Sequence, residues 1–383
     1  MKVLFITGPS PPTMFWAPPV AAALRNAGHE VLMATTEESA PIARQLGLPF
    51  LTVTDRTIGS LLSVDRDGRP VPPPETREDQ IRFHGAWMAR LAAACLPGLR
   101  DLAAHWRPDV IIGGSQSYAA GLLATHLGVP YVRHTWDSLE IPEGNAHGDV
   151  ELAPELSALG LEALPPPALI LDVTPPSLSR GPIARGTVHA RWVGTNLARR
   201  MEPWMLARGE RPRICVTAGS RVAAGAADES TAFLNSLLGG LSGLDAEIVV
   251  AAPDEVAASV RTAVPGLRGV GWMPLEVLLP NCDLLLHHGG GSTAMNAMAA
   301  GTPQVVLCEW PLYLGHWKRL EEHGSALVLE PEEDGTFDAG TVVKACHEMF
   351  TESSYRERAH ELATEIAALP GPDKHVERIE SLA

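Results

Sequence analysis

Short apolar runs, each closed by a polar turn and separated by helix-period segments with glycine stops, recur along this chain. Residues 2–7 are apolar almost throughout and end on Gly8-Pro9. Such a run suits a strand buried on both faces, as in a parallel sheet. A Pro-rich loop follows, then an Ala/Leu-rich segment, 18–27, that stops at Gly28, a residue suited to ending a helix. Residues 29–36 read as the next strand. Strand, loop, helix, glycine and strand in sequence make a βαβ unit. The pattern returns at 109–113 and 129–134, with an Ala/Leu-rich helix between them.

Residues 65–74 have the charged, turn-forming composition of a loop, and 164–176 form a less regular Pro-rich patch. From 181 to 211, Arg, Gly, Pro and Trp mix without period, as in an interdomain linker. A second series then opens at 213–217 and continues through 247–252, 284–287 and 304–308. The Ala/Met-rich helix 293–300 lies between its last two strands and ends at Gly301. A final helix, 353–369, stops at Pro370-Gly371-Pro372. The predicted architecture is α/β: two facing Rossmann-like domains, 1–200 and 201–368, with a tail, 369–383, crossing back to the first.

Length and charge agree with this division. At about 150 residues per domain, 383 residues favour two domains. Apolar residues at 45% and charged ones at 20% suit two globular cores. Lys and Arg number 30 against 45 Asp and Glu, a net charge of −15. That balance argues against nucleic acid or an anionic membrane as partner. No apolar run approaches the ~18 residues of a membrane span. The N-terminus reads as a strand, too short for a signal peptide. Five widely spaced cysteines without a CxxC pair indicate neither a disulfide framework nor a zinc site. A soluble, cytoplasmic protein is the expectation.

The sharpest chemical feature is His287-His288-Gly289-Gly290-Gly291-Ser292-Thr293, placed between an apolar strand and a helix. A strand-to-helix turn of this kind presents unpaired N–H groups and a positive dipole end, both favourable to a pyrophosphate. A glycine-tight turn over a buried histidine pair accounts for the same residues equally well. Neither GxGxxG nor GxxxxGK[ST] occurs, so nicotinamide and P-loop readings are weak. An HGGG oxyanion motif would need a G-x-S-x-G elbow, which is absent. Trp272-Met273 lies at a strand end where an aromatic can stack on a nucleobase, though a lone Trp is more often core. The turn from Thr217 to Gly219, Ser220 and Arg221 ends the first strand of the second half, where open sheets place ligands. Three polar turns at strand ends are most simply explained by a nucleoside diphosphate site.

Taken together, GWMPL, HHGGGSTAMNAMAAGTPQ and the opening GPSPPT…PPVAAALRNAGHEV resemble the GT-B glycosyltransferases of antibiotic biosynthesis. MATTEESAP, WRPDVIIGGSQSY, VRHTWDS, PPSL, EPWM, VTAGSRV and AAPDEVA resemble most the urdamycin-type C-glycosyltransferases acting on aromatic polyketides. The resemblance implies a dTDP-sugar as co-substrate in the C-terminal domain and an aromatic polyketide acceptor against the N-terminal one. It implies no cofactor and no metal, and it leaves a homodimer open. Its donor residues fall on Ser220, Trp272, Met273, His287, His288, Gly289, Gly290, Ser292 and Thr293.

Two departures from the family pattern bear on the chemistry. O-glycosyltransferases of this kind carry a histidine in the first loop, whereas this loop runs Ser10-Pro11-Pro12-Thr13-Met14. The C-glycosylating subgroup has Ser or Thr there and an Asp matching Asp137. From the residues alone Asp137 reads as a capping or turn aspartate; the resemblance makes it the base, with Ser10 and Thr13 beside the reacting groups. The acid-Gln pair that binds the sugar is replaced by Glu309-Trp310-Pro311-Leu312-Tyr313, which suits a sugar poor in hydroxyls such as an olivose-like deoxysugar. Phe15, Trp16, Phe83, Trp87 and Met88 are candidates to hold a flat acceptor, and several of them read equally as core. The expected activity is inverting, metal-independent transfer of such a sugar to carbon. Rival readings are O-glycosylation, a non-catalytic glycosyltransferase helper and, more weakly, a sugar-nucleotide epimerase.

Overall fold

The computed structural model describes residues 1–179, 183–217, 219, 234–235, 237–263, 266–333 and 335–383, without the side chains of 255 and 261–263. Two compact units result. The first comprises Met1–Thr174, Arg180–Thr195 and Pro370–Ala383; the second comprises Pro175–Ser179 and Asn196–Leu369.

In the first unit the strands are β1 (Lys2–Ile6), β2 (Glu30–Thr36), β3 (Phe50–Thr54), β4 (Val110–Gly113), β5 (Tyr131–His134), β6 (Leu169–Asp172) and β7 (Thr187–His189). They form a parallel sheet in the order β3-β2-β1-β4-β5-β6-β7. The second unit holds β8 (Arg213–Thr217), β9 (Glu247–Ala251), β10 (Gly269–Gly271), β11 (Leu284–His287), β12 (Gln304–Leu307) and β13 (Ala326–Leu329). They are also parallel, in the order β10-β9-β8-β11-β12-β13. Both follow the doubly wound order in which strand succession reverses beside the first strand. Val3, Leu4 and Phe5 of β1 and Ile214, Cys215 and Val216 of β8 are all 0% exposed. Continuous apolar runs become central strands because helices cover both sheet faces.

The boundaries differ from those the sequence suggests. The first unit's second segment ends at Thr195 instead of residue 200, and the segment expected to be a linker contributes β7, paired with β6. Residues 164–176, which look irregular, contain the buried strand β6. Strands of three or four residues are too short for a period to show. The C-terminal segment forms a helix, Val376–Glu380, within the first unit. There the Arg191 N–H donates to the Pro370 carbonyl (2.9 Å), and His29 meets Glu380 (2.8 Å).

Residues 77–105, for which the patterning above names no element, form a 29-residue helix. Thr76 and Asp79 close a capping box at its start. It is buried around much of its circumference, so no clean amphipathic stripe advertises it. A Cβ on Gly85 would lie 2.0 Å from the Gly144 carbonyl oxygen, so only glycine permits this approach to the helix Gly144–Glu151. No helix among the described residues is long and apolar enough to cross a membrane. All five cysteines are buried free thiols.

Arg213 begins β8 and is only 2% exposed. Its Nε and Nη2 both donate to Glu247 Oε2 (3.0 and 2.9 Å), and Nη1 donates to the Ala207 carbonyl (2.8 Å). Its guanidinium also lies over the Trp204 ring, 5.4 Å from the centroid. Arg213→Ala should destabilise the second unit by about 3–5 kcal/mol, the usual cost of breaking one side of a buried ion pair. Denaturant unfolding of the two proteins measures it.

Candidate active site

Loops following parallel strands all emerge at the carboxyl edge of their sheet, and ligands of open α/β sheets sit where strand order reverses. In the second unit that point lies between β8 and β11, whose last residues, Thr217 and His287, are register partners. The turn His287–Thr293 leads into the helix Gly291–Ala300. Its N-cap is Gly290, which gives no side-chain hydrogen bond. The first-turn N–H groups therefore lack both intrahelical and capping side-chain partners. Ser292 Oγ is buried without a hydrogen-bond partner.

The two histidines have different tasks. His287 is 0% exposed and its Nδ1 accepts the Gly289 N–H (3.3 Å). In the neutral ring the proton must then sit on Nε2. Its ring meets Trp317 edge-on, with centroids 5.9 Å apart. Gly289 adopts φ +84°, and a Cβ there would lie 3.0 Å from Trp317 Nε1. Burial pushes the His287 pKa down to about 4, against the opposing pull of Gln304. His287 therefore holds the turn from inside. His288 reaches the neighbouring loop instead. Its ring occupies the space where a Cβ on Gly219 would sit, 2.2 Å from Cε1, and a Cβ on Gly290 would lie 2.9 Å from Nε2. Gly219 has φ +77° and donates its N–H to Thr217 Oγ1 (3.0 Å). Thr293 is half-buried at the start of the helix. Ser220 and Arg221, predicted alongside, lie outside the described residues.

Trp272 follows β10 and is half-buried, with its indole N–H donated to Asn196 Oδ1. Met273 departs from expectation. It is 5% exposed and packs with Met205, Cys215, Val249 and Leu278, so its side chain belongs to a small apolar core. Its apolar surface finds more contact there than at a polar loop.

In the first unit the reversal lies between β1 and β4. Here a small pocket is lined by Gly8, Met88, Leu91, Gln116, Tyr118 and Trp136, among others. A polar chain runs along it: His84 Nε2 meets Gln116 Oε1, Gln116 Nε2 donates to Tyr118 Oη (3.4 Å), and Tyr118 donates to Asn145 Oδ1 (3.1 Å). Trp136 Nε1 is buried without a partner. A Cβ on Gly114 would lie 1.6 Å from that nitrogen.

Ser10 and Thr13 come together in the turn after β1, and their hydroxyls are 3.2 Å apart. Thr13 Oγ1 donates to the Ser10 carbonyl (2.8 Å) and accepts the Ser10 N–H (3.1 Å), so this hydroxyl is already engaged in shaping the turn. Asp137 stands in the loop after β5, at the same sheet edge. It is half-buried and accepts the Leu139 N–H at 2.7 Å, an Asx turn rather than a helix cap. Desolvation pushes its pKa up to about 6, opposed by the Leu139 bond and helped by nearby Glu140. Trp16, a candidate acceptor contact, is instead a core residue, 2% exposed and stacked on His134. Met88 does line the cavity; Phe83 and Trp87 are half-buried.

The reading from sequence did not single out Gln116, Tyr118, Trp136, Asn196 or Trp317. Gln116 and Tyr118 follow a recognisable strand and were legible by position. Asn196, in an aperiodic stretch, gave no signal.

Two Rossmann-like parallel sheets, one carrying a bare helix N-terminus behind a glycine turn, are the features shared with the nucleotide-sugar-dependent GT-B glycosyltransferases that this chain is similar to. A glycosyltransferase of Streptomyces sp. SF2575, solved with thymidine diphosphate, superposes with a TM-score of 0.83. It is 30% identical, with 100% of this chain and 99% of that one covered. The L-demethylnoviosyl transferase of Streptomyces niveus is 32% identical over 97% of this chain and 96% of its own length. The elloramycin glycosyltransferase of Streptomyces olivaceus is 27% identical over 97% and 95%. The chain belongs to the erythromycin biosynthesis protein CIII-like family, whose N-terminal domain matches residues 22–219 and whose C-terminal domain matches 235–382.

A histidine kept neutral by burial costs stability once the unfolded chain begins to protonate. The unfolded ring titrates near 6.5 and the folded one near 4. Falling pH therefore favours the unfolded state through this window. Between pH 7 and pH 5, His287 should account for about 2 kcal/mol of lost stability. His287→Asn should flatten the profile by that amount in denaturant unfolding at the two pH values.

Proposed function

We propose that the protein transfers a deoxysugar from a thymidine diphosphate donor to a carbon of an aromatic polyketide, with inversion and without a metal. The observation that carries the donor half is the turn at the β8–β11 switch point, where His288, the free Ser292 hydroxyl and an uncapped helix start converge. Such donors meet the charge that develops on a departing diphosphate. The thymidine diphosphate in the Streptomyces sp. SF2575 enzyme supports this base for the donor.

For the acceptor, the largely apolar walls of the small pocket at the β1–β4 switch point offer a surface for a flat ring, and Gln116 and Trp136 Nε1 offer polar contacts to phenol or quinone oxygens. Asp137 takes the phenol proton. Its ortho carbon then forms a bond to the anomeric carbon while the bond from that carbon to the diphosphate oxygen breaks. The ring proton then passes to solvent, which restores aromaticity as a phenolate, and Asp137 returns its proton to the phenolate oxygen. A carboxylate titrating near 6 is a stronger base than an ordinary one and still ionised at pH 7. Because Thr13 spends its hydroxyl on the turn after β1, it orients this loop and Asp137 carries the proton. An O-glycoside on the same acceptor class is the second reading, since Asp137 would equally take a hydroxyl proton.

Purified protein incubated with a TDP-deoxysugar and an aromatic polyketide should give a product that resists acid hydrolysis; release of sugar by acid would establish the O-glycoside. His288→Ala should weaken thymidine diphosphate binding by roughly 10- to 100-fold, the worth of a hydrogen bond to a charged group. Unchanged affinity in calorimetry would remove His288 from the donor site.

Asp137→Asn should lower turnover by roughly 10²–10⁴ while thymidine diphosphate affinity stays near normal. Wild-type turnover should rise with pH through about 6, as the carboxyl ionises. Retained turnover in Asp137→Asn, with loss in Ser10→Ala, would transfer the role to Ser10.

A further inference from the structure

Asn196 opens the main segment of the second unit, and its carboxamide engages four groups. Oδ1 accepts the Trp272 indole N–H and the Leu197 N–H (3.0 Å). Nδ2 donates to Glu276 Oε2 (3.2 Å) and to the Met273 carbonyl (3.5 Å). One side chain thereby holds the indole of Trp272 and the segment that follows it, using the full bonding capacity of an amide.

The surroundings leave Trp272 as the variable element of this loop. Gly271 bends the chain at φ +147°, with open space where a Cβ would stand. Its carbonyl is tied to the Ala252 N–H (3.0 Å), and Met273 is anchored in the small core. Backbone and flanks are thus fixed, while the indole is half-buried and held by the Asn196 hydrogen bond.

We propose that Asn196 is a positioning residue for the donor nucleotide: it fixes the angle of the Trp272 ring and occupies its N–H, so that Trp272 meets a base with its face alone. This rests on the donor reading above. Trp272 then contributes stacking, which every base accepts, and no base-reading hydrogen bond.

The test is a double-mutant cycle read by calorimetry with thymidine diphosphate, using wild type, Asn196→Ala, Trp272→Phe and the double variant. Phenylalanine keeps a stacking face and lacks the N–H. Asn196→Ala alone should weaken binding by about five- to tenfold, and by less than about twofold in the Trp272→Phe background. Competition by inorganic pyrophosphate should be unaffected by Asn196→Ala. Equal losses in both backgrounds, or an equal loss for pyrophosphate, would overturn the proposal, because Asn196 would then act only on the loop. Should Asn196→Ala fail to fold, Asn196→Asp combined with Glu276→Gln reverses the bond to residue 276, gives up the bond to the Met273 carbonyl and keeps the acceptor for Trp272. That pair should hold thymidine diphosphate affinity within about twofold of wild type; a larger loss overturns the proposal. Absence of thymidine diphosphate binding by the wild type would instead refute the donor reading itself.

Discussion

Reversal of strand order is the constraint on which both units depend. In each sheet the chain winds outward from its first strand, returns, and winds outward on the other side. The loops after the two strands flanking the reversal diverge, and the space between them is open at the carboxyl edge. Side chains that fold over this opening require glycine beneath them. A Cβ on Gly8 would meet Thr13 Oγ1 at 2.5 Å, and one on Gly219 would meet the His288 ring at 2.2 Å. The Gly114–Trp136 approach repeats the arrangement after β4. The same topological demand thus recurs in two unrelated stretches of sequence.

Desolvation shifts His287 and Asp137 in opposite directions. It keeps His287 neutral, so the ring can accept the Gly289 N–H and shape the turn without charge. It raises the Asp137 carboxyl, increasing its basicity. Burial disfavours whichever form carries charge, and the chemistry of each residue decides whether that yields a neutral strut or a stronger base. The histidine pair illustrates how finely position divides these tasks. One residue of chain separates a ring enclosed against Trp317 from one that lies over Gly219 and Gly290.

The sequence by itself determined the alternation of strands and helices, the presence of two α/β units and the strand-to-helix turn at His287–Thr293. These are local signals: apolar runs, glycine stops and a glycine cluster at a strand-to-helix junction keep their meaning wherever the chain goes. Only the tertiary structure decided that His287 packs against Trp317 and His288 over Gly219, because two adjacent residues with identical side chains differ solely in what surrounds them. It also moved Met273 and Trp16 into cores and enlisted 187–189 as a strand. Burial and strand pairing depend on segments far away in the chain, as the pairing of β7 with β6 and the stacking of Trp16 on His134 show. Asn196 is the extreme case: nothing near it in sequence marks it, and its partner Trp272 stands 76 residues away.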